Sequence, residues 1–102
     1  MIDPQKLAEM MQKAQQMQEQ LQAELAQKVV VGEAGGGMVK VSVNGLLEVR
    51  SVKIDKAAID PDDVTLLEDL VRAAFSQALA AAEEARMEHT RKMAGGLGIP
   101  GL

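Results

Sequence analysis

The sequence predicts an α+β fold: a long N-terminal helix, a three-stranded antiparallel sheet and a long C-terminal helix. Two observations carry this. Residues 29–55 are the one β-branched, alternating stretch, punctuated by glycines at Gly35, Gly36 and Gly37 and by Asn44-Gly45. On either side lie long runs with helical periodicity, each opened by an Asp-Pro pair.

The first helix is expected over residues 3–28. Asp3 can cap it, and Pro4 at the first helical position has no amide to leave unpaired. Leu7, Met10, Ala14, Met17 and Leu21 follow spacings of three and four, a heptad seam with Met11 and Leu25 beside it. Glu9/Lys13 and Glu24/Lys28 are favourably oriented i,i+4 pairs.

The sheet is expected over residues 29–55. A two-residue turn at Asn44-Gly45 would set Val41 against Glu48 and mix core with solvent. A three-residue loop of Val43, Asn44 and Gly45, with Gly45 in the left-handed position, sets Val41 against Leu47, Val39 against Val49 and Lys40 against Glu48. The apolar phase then changes from Leu47 and Val49 to Val52 and Ile54, which calls for a bulge near Arg50-Ser51.

After a connector at 56–59, the run Asp60-Pro61-Asp62-Asp63 signals a second helix over residues 60–93. Val64, Leu67, Val71, Ala74, Phe75, Ala78, Leu79, Ala82 and Ala85 form its apolar stripe. Gly95-Gly96 is expected to stop it. Residues 1–94 thus form one domain, and residues 95–102 a disordered Gly/Pro tail. The first helix is too long for the sheet, so its overhang is expected to pair with the second helix in a distal tip. The sheet and neighbouring apolar faces would bury themselves against a second copy, giving a homodimer.

Composition narrows the function. A chain of 102 residues buries a modest core, which also favours dimerisation. Phe75 is the sole aromatic residue and there is no cysteine, which removes a base-stacking platform and any disulfide or cysteine-metal framework. The polar N-terminus and the lack of an apolar run of about 18 residues predict a cytoplasmic chain without membrane association. A net charge of −4 argues, taken alone, against a general polyanion binder.

No motif points to chemistry. The glycine run is not followed by Lys-Ser/Thr and leads into a strand, so it reads as a turn. His89, the sole histidine, has no metal-ligand spacing and reads as a solvated residue near a helix end. Asp60, Asp62, Asp63, Glu68 and Asp69 lack the spacing of a calcium loop and read as helix-start electrostatics. Met10, Met11 and Met17 read as seam residues. With no nucleophile set, neither catalysis nor a cofactor, metal or small-molecule substrate is expected. What remains is the tip, where Arg86, Arg91 and Lys92 meet Lys6 and Lys13, with Asp3, Glu9, Glu83 and Glu84 also nearby. By pattern alone, a solvated helix end outweighs a DNA contact there.

Four segments together resemble the YbaB/EbfC family of bacterial nucleoid-associated proteins: KAQQMQ at 13–18, VVVGEAGGGMVKVSVNG at 29–45, EVRSVKID at 48–55 and LEDLVRAAF at 67–75. The resemblance implies a helix-sheet-helix protomer in a tweezer-like homodimer, with helical arms that hold double-stranded DNA. It implies a nucleoid-organising, gene-regulating role in the cytoplasm. Carried onto this chain, the DNA contacts fall on Lys6, Lys13, Arg86, His89, Arg91 and Lys92, acting on phosphates with low sequence selectivity and strong salt sensitivity. The competing reading is a protein-binding coiled-coil scaffold or adaptor whose glutamine- and methionine-rich arms clasp another helix.

Overall fold

The computed structural model describes residues 3–96 of the chain, in the order α1 (Pro4–Gln27), β1 (Val29–Ala34), β2 (Val39–Asn44), β3 (Val49–Ile54), a 3-10 turn (Lys56–Ala58) and α2 (Val64–Gly96). The strands form one antiparallel sheet in the order β1-β2-β3. The molecule is elongated, with extents of 72 × 26 × 16 Å. The expected tail lies outside the described residues from position 97 onward.

Alternation in β2 sets the core. Val39, Val41 and Val43 are fully buried on one face, against a row of Ala74, Ala78 and Ala82 spaced four apart along α2. Burying each valine contributes about 2 kcal/mol. The alanines let the helix backbone approach, and Gly32 on β1 completes the fit: a Cβ there would run into Ala74 O and Ala78 N, and lie 2.8 Å from Ala78 Cα. No side chain larger than hydrogen fits. Gly32 meets Ala74 and Ala78 while Gly35 meets Leu70, so α2 runs antiparallel to β1.

Helix starts follow local capping. The Asp3 carboxylate accepts from the Gln5 amide at 3.2 Å, and Pro4 occupies the first turn. At the second helix the start moves from residue 60 to Val64. Asp60 is spent on a turn, its Oδ1 accepting from the Asp62 amide and its carbonyl from the Asp63 amide, and Asp63 then caps through the Leu66 amide. At the other end α2 runs to Gly96, past the expected stop at 93. Each glycine costs about 1 kcal/mol relative to alanine, which does not halt an already nucleated ladder.

The β2–β3 hairpin departs from expectation. Val41 pairs with Val52, Val39 with Ile54 and Lys40 with Lys53, in place of Leu47, Val49 and Glu48. Gly45 is not left-handed; Leu47 is, at φ 64°. The cause is Asn44, which is fully buried. Its Oδ1 accepts from the Leu46 and Glu48 amides, and its Nδ2 donates to Glu48 Oε1 and to the Ala26 carbonyl. That network holds a wide loop at 45–48. Gly45 is needed for a different reason: its amide donates to Leu25 O, and a Cβ would sit 2.9 Å from that oxygen. The expected bulge is present, since Ser42 faces Ser51 while Val43 faces Val49, leaving Arg50 as the extra residue.

The two helices do not form the expected paired tip. Residues 3–20 are all exposed, and the α1 seam residues Leu7, Met10 and Met17 stand 48%, 58% and 38% exposed. Helix α1 is anchored at its C-terminal end, where Leu25 is buried and the Ala26 carbonyl meets Asn44. Near that end, His89 Nε2 of α2 lies 2.8 Å from Glu24 Oε2. Among the described residues, about two turns of α2 follow His89, much less than the length of the exposed part of α1.

Candidate nucleic-acid interface

The six DNA-contact positions expected from the family resemblance fall into two groups. Lys6 and Lys13 are seven residues apart on one face of α1, about 10 Å from each other along the axis. Lys6 stands roughly 27 Å along α1 from Glu24, the point at which α2 makes contact. Arg86, His89, Arg91 and Lys92 belong to the end of α2, within about one turn of that junction.

Nor do the α2 residues form one patch. At about 100° per residue, Arg91 points some 160° away from His89, and therefore away from α1. The His89 side chain is 17% exposed and turned towards Glu24. Its Nε2 is buried and lies 2.8 Å from Glu24 Oε2, but the approach does not have the angle of a hydrogen bond. Lys92 lies 3.6 Å from Glu88 one turn earlier, an exposed i,i+4 pair of little energetic weight. Arg91 and Arg86 are exposed and, among the described residues, have no carboxylate within the 4.0 Å of an ion pair. The acidic run near 60–63 is accounted for by turn and cap bonds, and the described residues hold no cluster fit for a metal ion.

A further pair of cations comes from the corrected hairpin. Lys40 and Lys53 are direct cross-strand partners on the sheet face turned away from α2, both exposed. Their row continues to Glu33, which pairs with Lys40. The signal was in the sequence: matching β-branched residues of β2 with Val52 and Ile54, in preference to Leu47 and Val49, yields this register.

The other face of β3 is also open. Val49, Val52 and Ile54 share the core side of the sheet with Val43, Val41 and Val39, yet are 51%, 44% and 40% exposed. Helix α2 packs over β1 and β2 and leaves that edge strand uncovered. Ile59, Val64 and Leu79 add to the exposed apolar surface. Among the described residues, no helix is long and apolar enough to cross a membrane.

Comparison with known proteins agrees with this architecture. An uncharacterized protein of Helicobacter pylori, known from a crystal structure, superposes with a TM-score of 0.74 at 26% sequence identity, covering 91% of this chain and 98% of that one. A nucleoid-associated protein of Thermoanaerobacter sp. (strain X514) is 52% identical over 96 residues, which cover 91% of this chain and 86% of the relative. Another of that description, from Paramagnetospirillum magneticum, is 46% identical over 92% of this chain and 91% of its own. The profile of the YbaB/EbfC DNA-binding family matches residues 3–97. The chain belongs to the YbaB/EbfC DNA-binding family.

Proposed function

We infer that this protein is a nucleoid-associated DNA-binding protein, a homodimer that holds duplex DNA through phosphate contacts from its helical arms with low sequence selectivity. The observation that carries the reading is the family match across residues 3–97. The geometry supports it in two ways. Arg86 and Arg91 on α2, and Lys6 and Lys13 on α1, are exposed cations free of ion pairs among the described residues. Long projecting helices also suit a ligand larger than any pocket in so thin a molecule. Through such contacts the protein would alter DNA conformation in the nucleoid and so influence gene expression. Catalysis has no part in this reading.

The dimer is inferred from the uncovered β3. Val49, Val52 and Ile54 form an apolar edge that a small domain does not leave in water. A second copy placed there would bury it and join two α1 arms, one from each protomer, in a tweezer arrangement.

The test is a titration of the protein onto a random-sequence duplex at about 50 and 200 mM salt, read by fluorescence anisotropy. Binding that collapses at the higher salt is expected. No binding at the lower salt would overturn the reading. A second reading, a scaffold that clasps a partner helix, is favoured by the exposed seam of Leu7, Met10 and Met17 on α1. An apolar clasp persists or strengthens as salt rises, so the same experiment run with a protein partner separates the two.

A further inference from the structure

We propose that the open face of the sheet, centred on Lys40 and Lys53, is a second phosphate-contact surface for duplex DNA, separate from the arms. The proposal rests on the DNA-binding reading above and adds a location to it. Direct cross-strand partners have Cα atoms roughly 4.5–5.5 Å apart, and like charges so placed destabilise a sheet. The register makes Lys40 and Lys53 such partners. Neither has a carboxylate within 4.0 Å among the described residues. The repulsion is removed when an anion sits between the two ammonium groups.

The surroundings suit a phosphodiester. Glu33 is the one acid paired across the sheet from this couple, and it sits beside Lys40. Asp55, two residues beyond Lys53, has its Oδ1 occupied by the Ala57 amide at 2.9 Å. Ser42 and Ser51 pair with each other in the next row on the same face, giving small hydroxyls beside the lysines where bulkier residues would hold a backbone off. Arg50, the extra residue of the bulge, is exposed on the same edge strand. Helix α2 covers the opposite face, α1 is bonded to the sheet at Asn44 and Gly45, and Lys40 and Lys53 are exposed, so the approach to them is open. A duplex backbone fits better than a small anion, because the groups form an open row across two strands with no enclosing wall.

The experiment compares wild type, K40Q/K53Q, R91E/K92E and a charge-matched control, R72Q/S76E, whose substitutions lie on the solvent side of α2. Each is titrated onto random-sequence duplex across a salt series, with oligomeric state and melting temperature measured in parallel. K40Q/K53Q is expected to melt no lower than wild type, since a repulsive pair is removed. Its slope of log K against log salt should shrink by about 1 to 2, and its affinity at about 50 mM salt should fall roughly tenfold per lost contact. A slope equal to that of wild type or of R72Q/S76E overturns the proposal, as does a changed oligomeric state, which would place the lysines at a subunit interface. No binding by wild type at low salt overturns this proposal and the DNA-binding reading together. Binding that is lost in R91E/K92E but unchanged in K40Q/K53Q overturns this one alone.

Discussion

Replacing Gly32 with alanine separates two physical accounts of the same glycine. Gly32 lies in a strand and is not among the residues with positive φ. At such a position, Gly→Ala ordinarily stabilises by about 0.4–1 kcal/mol, because the unfolded chain loses freedom. Here the sign should reverse. The added Cβ would meet the backbone of α2, with Ala78 Cα at 2.8 Å, against a comfortable carbon separation of about 3.5–4.0 Å. The helix would have to retreat by roughly 1 Å, a gap that forfeits a quarter to a half of each dispersion contact across it. The residues facing that gap are Val39, Val41, Val43, Ala74, Ala78 and Ala82, all fully buried. Overpacking a core costs about 1–3 kcal/mol when side chains can adjust, and backbone cannot, so a loss of about 3 kcal/mol is expected. At an m-value of about 1–3 kcal/mol/M, the urea midpoint should fall by about 1–3 M at fixed protein concentration. Gly36 is the control: its Cβ would meet nothing within 4 Å, while its φ of 67° leaves only the strain of a left-handed residue, about 1 kcal/mol. A Gly32→Ala variant that loses no more stability than Gly36→Ala would refute the close approach of α2 to β1.

Asn44→Ala removes four hydrogen bonds from a fully buried side chain and should cost about 2–4 kcal/mol by urea unfolding; a cost under about 1 kcal/mol would mean water replaces the network. Val52→Asp, at a half-exposed position on β3, should leave far-ultraviolet circular dichroism unchanged and shift sedimentation equilibrium from dimer to monomer. An unaltered dimer would move the interface elsewhere. R91E/K92E should keep the same assembly state and lose DNA affinity; equal affinity would remove the end of α2 from the contact surface.

The order of elements was legible because it depends on local signals: Asp3-Pro4, β-branched alternation, and glycines where the chain turns. The bulge was legible too, since a regular strand cannot shift its apolar phase between Val49 and Val52 without an inserted residue. The hairpin register was not, and the reason is specific. Asn44-Gly45 reads as a tight turn from its neighbours in sequence, whereas Asn44 answers to the Ala26 carbonyl, 18 residues earlier. Long-range satisfaction of one buried amide outweighed turn propensity. The expected pairing of the helices failed for a related reason: the heptad seam of α1 says that a partner is wanted, not which surface supplies it. Of the candidate site, sequence could name cations but not their facing. Arg91 and His89 are two residues apart and point nearly opposite ways, and the Lys40–Lys53 couple exists only once the register is known.

The anchorage of α1 has a mechanical consequence. A 24-residue helix is roughly 36 Å long, and it is gripped at one end by the Asn44 amide and by the Gly45 amide bonded to Leu25 O. It therefore acts as a cantilever. Each degree of yielding at the grip sweeps the far end sideways by about 0.6 Å, from the helix length alone. A strain of a few degrees, shared among hydrogen bonds that stay intact, moves Lys6 by more than an ångström without disturbing α2 or the valine core. The free end can thus follow the contour of whatever it rests against while the body of the protein keeps one shape.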